Sequence, residues 1–207
     1  KTLVDWLIEK YPEVKGVGDD PEERPGIVHR LDKETSGVLL ICRTQVAFNY
    51  FKNQFQEHKI KKTYLALVHG VPKEKSGEIN KPLGLKPDTI RRTTHVGRAK
   101  MIKEAITRYR IKQIYRRLPS IDYALVEVEP LTGRTHQIRV HLASIGHPIV
   151  GDYLYTPKSM AIAQSYIVGR MFLHAESLEF TTFDGRRLKI AADLPADLIR
   201  VLEELKS

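Results

Sequence analysis

His29-Arg30-Leu31-Asp32-Lys33-Glu34-Thr35-Ser36-Gly37 sets one aspartate in a dense polar and basic patch between two apolar runs. Gly26-Ile27-Val28 precedes it. Val38-Leu39-Leu40-Ile41-Cys42 follows and reads as a buried strand. Positive neighbours favour an ionised carboxylate at such a position. A carboxylate held at a strand edge can act as a nucleophile, a base or a salt-bridge anchor. It can equally cap a turn, with Thr35, Ser36 and Gly37 behind it.

The pattern on either side of this stretch alternates between two periods. Thr2 to Lys10 has helical spacing at Leu3, Leu7 and Tyr11, and Pro12 ends it. Gly16 to Pro25 is an acidic loop. Ala47, Phe51 and Phe55, with Phe48 beside them, predict a helix over 45–58. Ile60 to His69 reads as a strand ending at Gly70. Residues 76–100 are rich in Gly, Pro, Thr and basic residues and predict short strands and loops. Glu104 to Tyr115 and Ile121 to Glu129 read as paired strands joined by Arg116-Arg117-Leu118-Pro119-Ser120. Ile138, Leu142 and Ile145 give a helix over 135–145, stopped by Gly146. Asp184-Gly185 between 176–183 and 187–192 is a hairpin signal. Pro195 opens a closing helix to Lys206. Strands dominate and most links are short, so the fold class is α+β with a mixed, mainly antiparallel sheet and flanking helices and loops.

The bulk properties narrow the function. A chain of 207 residues, 42% hydrophobic and 29% charged, can bury a substantial core in one large or two small domains. No apolar run approaches the roughly 20 residues of a membrane span, and Lys1-Thr2-Leu3-Val4-Asp5 lacks a signal-peptide core. Cytoplasmic location and a monomer are the default expectations. One cysteine, Cys42, excludes an intramolecular disulfide and the two- or three-cysteine zinc sites of base deaminases. Its place in an apolar run reads as a small buried hydrophobe. The net charge of +9 favours a polyanionic partner. The positive charge falls in three clusters: Lys59, Lys61 and Lys62; Arg91, Arg92, Arg98 and Lys100; and Arg108, Arg110, Lys112, Arg116 and Arg117. Each can also be read as a solvated face.

A second region decides among these readings. Thr132-Gly133-Arg134-Thr135-His136-Gln137-Ile138-Arg139-Val140-His141 is followed by Gly146-His147-Pro148-Ile149-Val150-Gly151-Asp152. Together with the aspartate stretch, and with a weaker echo at Leu173-His174-Ala175, these residues resemble the RluA-type family of pseudouridine synthases, which isomerise uridine within RNA. The resemblance runs from Gly26 to Asp152 with the motifs in the family's order. It implies the pseudouridine synthase catalytic fold across 1–207. It also implies that an upstream Asn-Lys-Pro-like strand and a small N-terminal RNA-binding domain, common in the family, are missing from this chain. The implied substrate is structured RNA, ribosomal or transfer, and the implied chemistry needs neither metal nor redox cofactor.

The resemblance also implies roles for individual residues. Asp32 matches the family's essential aspartate, which attacks the sugar or acts as a base at its 2′ position. Tyr64, in Lys61-Lys62-Thr63-Tyr64-Leu65-Ala66, matches a tyrosine that stacks on the target base and takes part in proton transfer; a core strand aromatic is the other reading. Arg139 matches the arginine that pairs with the aspartate, for which a guanidinium fork is suited. Ile138 matches the apolar lining of the base pocket, Arg134 serves phosphate, and Arg30 fills the space that the extruded uridine leaves. His29 reads as a hydrogen-bonding residue beside the substrate rather than a base, and His147 and His174 read as structural. His136 and His141, five apart, lie about 140° apart on a helix, so a shared metal is rejected. Two rival readings remain: a non-catalytic RNA-binding or ribosome assembly module, and an RNA-cleaving enzyme using His136 or His141 as acid and base.

Overall fold

Leu65-Ala66-Leu67-Val68 is apolar at every position, and a strand of that kind must be covered on both faces. In the computed structural model, which describes residues 2–87, 89–117, 121–158, 160 and 168–206, this run lies in a central strand, β2 (Lys61–His69). β2 pairs antiparallel with both β8 (Ile121–Pro130) and β9 (Leu173–Thr181). β8 continues to β7 (Ile106–Arg117) and then to β3 (Ser76–Asn80), again antiparallel. On its other edge β9 meets two strands. The two-residue β1 (Ser36–Gly37) runs parallel to it, and β10 (Arg187–Ala191) returns antiparallel through the Asp184-Gly185 turn. The expected α+β class with a mainly antiparallel sheet holds. A three-stranded sheet of β4 (Leu83–Leu85), β5 (Arg92–Thr93) and β6 (Lys100–Lys103) accounts for the Gly- and Pro-rich stretch.

Side chains alternate across the pleat and so divide the core. Leu65, Leu67, Tyr123 and Leu125 face one layer with α4 (Ala196–Glu204), which buries Leu198 and Val201. Tyr64, Ala66, Val68, Val126 and Val128 face the other, where α3 (Gln137–Ser144) packs with Ile138 and Leu142. α2 (Gln45–Gln56), capped by the Thr44 hydroxyl accepting from the Ala47 N–H at 3.2 Å, lays Phe51 and Phe55 against Ile60, Leu178 and Phe180. α1 (Leu3–Lys10) opens on a capping box between Thr2 and Asp5 and buries Leu7. Among the described residues no helix is long and apolar enough to cross a membrane.

One expectation fails. Val38 to Cys42 is not a regular strand, and only Cys42 in it is fully buried. Its backbone is satisfied piecemeal: Val38 N–H donates to the Ala175 carbonyl, Leu40 N–H to His29 Nε2, and Cys42 N–H to the Gly26 carbonyl. Because β10 takes the edge of β9 from Ser177 onward, the run leaves the sheet after Gly37. The link over 118–120 lies outside the described residues.

Gly37 makes that departure possible. Its φ is +117°, and a Cβ there would lie 2.1 Å from the Ala175 carbonyl oxygen. Gly37→Ala is therefore expected to lower the urea-unfolding free energy by at least about 2 kcal/mol, from backbone strain plus the clash. A midpoint unchanged from wild type would show that β1 does not lie against β9.

Candidate functional site

The α3 face of the sheet and the aspartate loop enclose a cleft of ≈ 550 Å³, within the usual range for a ligand site. Its lining includes Asp32, Tyr64, Ile138 and Arg139, and also Arg30, His29 and Arg134. Residues more than a hundred positions apart are thus brought together.

Each wall has a local cause. Tyr64 sits where the β2–β9 register shifts between Thr63 and Tyr64, an irregularity that re-aims a side chain at a sheet's active face. Arg139 is aimed by a buried polar chain that fixes α3 on the sheet. Gln137 accepts from the Thr132 hydroxyl at 2.7 Å and donates to the Ile106 carbonyl and to Thr107. The Thr107 hydroxyl donates to His141 Nδ1, whose Nε2–H donates to the Lys81 carbonyl at 2.9 Å. The aspartate loop is clamped by residues after 169. Arg170 donates to the Glu34 carbonyl at 2.8 Å and pairs with Asp197 of α4. Ser36 donates to His174 Nδ1 at 2.9 Å, and His174 Nε2–H reaches the Ala192 carbonyl.

At the centre Arg139 joins two carboxylates. Its Nη1 donates to Asp32 Oδ2 at 3.0 Å, and its Nε and Nη2 donate to the two oxygens of Asp152 at 2.7 and 2.9 Å. Arg139 Nε–H and Nη–H bonds hold its proton more firmly than usual despite the burial. Asp32 Oδ1 has no hydrogen-bond partner among the described residues; His136 Nε2 lies 3.9 Å away. The Tyr155 hydroxyl accepts the Arg92 N–H at 2.9 Å and lies 2.8 Å from His136 Nδ1. The assignment that leaves no donor unused has the phenol donating to Nδ1, so that Nε2–H faces Asp32. Burial, and then the Arg139 charge, lower the pKa of His136. Its φ of +57° marks a strained cap before α3.

Burial, and secondarily the Asp32 charge, push the Tyr64 phenol up to about 12, so it stands in the cleft as an O–H. Ile138 is buried, with its side chain shared between the cleft and the α3 core. Arg30 is exposed at the rim. Arg134 is tied to the Glu104 carbonyl at 3.1 Å. Lys62 was legible only as part of a basic pair. It reaches the cleft, donates to the Thr132 carbonyl at 3.1 Å, and is brought down to about 8 by burial and then by Arg134. Cys42 is buried, and burial raises its thiol to about 11.

His29 accepts the Leu40 N–H at Nε2 (2.8 Å) and stacks on Phe55 with ring centres 4.6 Å apart. Burial, then Lys62 and Arg24, depress it to about 4 from 6.5. Between those values the unfolded chain binds the extra proton, so stability rises with pH there and is lost as pH falls toward 4. The shift corresponds to about 3 kcal/mol over the window. His29→Asn is expected to flatten the slope of unfolding free energy between pH 4.5 and 6.5. An unchanged slope would place the titration elsewhere.

Asp152 and Tyr155, like Lys62, carried no assigned role in the sequence. Asp152 closes the quoted second motif, and its side chain is 1% exposed behind Arg139. Tyr155 gave no signal at all, since its function rests on a neighbour from β5. The basic clusters also sort themselves. Arg108 pairs with Glu78, and Arg110 and Lys112 pair with Glu127, so much of the third cluster is neutralised. Arg91, Arg98 and Lys100 on or beside the small sheet are exposed and make no ion pair among the described residues.

A family model described as RNA pseudouridylate synthase matches residues 10–144. An uncharacterized RNA pseudouridine synthase of Chloroflexus aurantiacus is 42% identical over 206 residues, spanning 99% of this chain and 60% of that protein. Ribosomal large subunit pseudouridine synthase C of Buchnera aphidicola is 40% identical over 176 residues, spanning 84% of this chain and 53% of its own length. The chain thus spans little more than half the length of these curated relatives. The solved structure of human RNA Pseudouridylate Synthase Domain Containing 1 superposes with a TM-score of 0.75 at 26% identity, covering 100% of this chain and 85% of that one.

Proposed function

The chain belongs to the RNA pseudouridylate synthase family, and from that premise we propose that it converts uridine to pseudouridine in structured RNA, ribosomal RNA in the first place. The relative named for the large ribosomal subunit supports that choice of RNA. We read residues 1–207 as a catalytic domain acting as a monomer in the cytoplasm. The reaction breaks the N1–C1′ bond, joins C1′ to C5, moves a hydrogen from C5 and leaves one on N1. Atoms balance without oxidant, reductant or water.

The observation that carries this reading is the state of Asp32. One carboxylate oxygen is held by a single N–H of Arg139 while the other faces a cleft lined by Tyr64 and Ile138. That is the disposition a nucleophile at C1′, or a base at the 2′ position, requires. Tyr64, as a phenol, offers a face for stacking on an extruded base and a proton to donate. Ile138 supplies the apolar floor. Arg30 and Arg134 stand at the rim for phosphate or for the vacated stack. Neither His136 nor His141 suits RNA cleavage. His141 is buried between Thr107 and Lys81, and the Nδ1 lone pair of His136 is occupied by Tyr155.

The test is tritium release from ribosomal and transfer RNA transcripts carrying 5-tritiated uridine. Release that depends on Asp32, with pseudouridine in the digested product, is the expected result. Tight RNA binding with no release from any transcript would favour the non-catalytic module. Shortened RNA would mean cleavage.

A further inference from the structure

Asp152 holds more of Arg139 than Asp32 does. It takes the side-on pair, Nε and Nη2, at 2.7 and 2.9 Å, while Asp32 receives one bond at 3.0 Å. Asp152 is also the better anchored of the two. Its Oδ1 accepts the Leu154 and Tyr155 N–H groups at 3.0 and 3.3 Å, and its side chain is 1% exposed. Asp32 lies on an irregular loop with its side chain 18% exposed. The Tyr155 ring lies over the guanidinium, 5.0 Å from its carbon. A guanidinium pairs best with a carboxylate bidentately, so two carboxylates compete here for one fork. If Asp32 won it, both of its oxygens would be tied up.

We propose that Asp152 is a positioning residue which retains the Arg139 fork and thereby keeps Oδ1 of Asp32 free to react. The reactivity of that oxygen rests on the isomerase reading above; the competition for the fork does not. Asp152 acts through Arg139 and does not itself line the cleft.

Two measurements separate these layers. The first is the rate of single-turnover isomerisation for wild type, Asp152→Asn and Asp152→Glu, with RNA affinity measured beside it. The asparagine amide places an N–H donor against the guanidinium and releases the fork. The rate is expected to fall about 100-fold, the cost of a misplaced reacting group, with affinity within about threefold. Asp152→Glu keeps the charge and should recover to within about tenfold of wild type. A glutamate variant as poor as the asparagine one would mean that the position matters only for packing, and would overturn the proposal.

The second measurement is a crystal structure of Asp152→Asn, which needs no activity. Arg139 bonded to both Asp32 oxygens is expected; Arg139 still seated on residue 152 overturns the proposal. If no RNA is turned over by wild type, the isomerase reading falls while this structure still decides the competition. Should Asp152→Asn fail to fold, Arg139→Lys gives the same answer. A single ammonium is expected on Asp152, leaving Asp32 unpaired, and an ammonium on Asp32 instead would refute the ranking of the two carboxylates.

Discussion

Asp32→Asn is expected to slow uridine isomerisation by about 10⁴-fold or more, the upper range for a positioned acid, base or nucleophile. The change is nearly isosteric. Its amide oxygen can still accept from Arg139 Nη1, and Arg139 stays anchored by Asp152. The loop is also held independently, by Arg170 on the Glu34 carbonyl and by Ser36 on His174. The melting midpoint should therefore stay close to wild type. RNA affinity should hold within a few-fold or rise slightly, because one negative charge near the phosphates is gone. Tritium release and gel retardation on one RNA measure both quantities. Turnover within tenfold of wild type would remove Asp32 from the chemistry.

Arg139→Met is expected to cost about 3–5 kcal/mol of stability, the penalty for breaking a buried ion pair from one side. Methionine keeps most of the side chain's volume, so the loss is electrostatic. Asp152 would be left 2% exposed with only the Leu154 and Tyr155 N–H groups to compensate it. For a chain of this size the melting midpoint should fall by about 10 °C. Turnover should be lost as well, since the Asp32 carboxylate would lose the one hydrogen bond it makes among the described residues. A destabilisation under about 1 kcal/mol would mean that water reaches Asp152 easily and that the triad is a surface feature.

The fold was legible where pattern and burial agree. The strand over Ile60 to His69, the paired strands over Glu104 to Tyr115 and Ile121 to Glu129, the Asp184-Gly185 turn and the helical spacing around Ile138 all have counterparts in the structure. Val38 to Cys42 misled because an apolar run signals burial, not pairing. Which strand takes the edge of β9 is decided by β10, about 150 residues later. The cleft residues were nameable because they lie within quotable motifs. The geometry among them was not, since hydrogen bonding between Arg139, Asp152 and Asp32 depends on side-chain direction across α3 and two loops. Tyr155 was beyond reach for the same reason: its hydroxyl is defined by the backbone of Arg92 and by a histidine in a left-handed conformation. Charge counting likewise could not tell Arg110, paired with Glu127, from Arg98, which is unpaired among the described residues.

The clamps on the aspartate loop have a consequence for the order in which the molecule matures. Translation delivers Asp32 before every group that aims it: first Arg139 and Asp152, then Arg170, His174 and Asp197. Domains assemble as the polypeptide emerges, and contacts this distant in sequence form late. A nascent chain that has exposed its aspartate therefore holds no working site until residue 197 has been made. Competence switches on only once the segment from Arg170 to Asp197 has emerged and docked, so a shorter nascent polypeptide carries the aspartate without the groups that aim it.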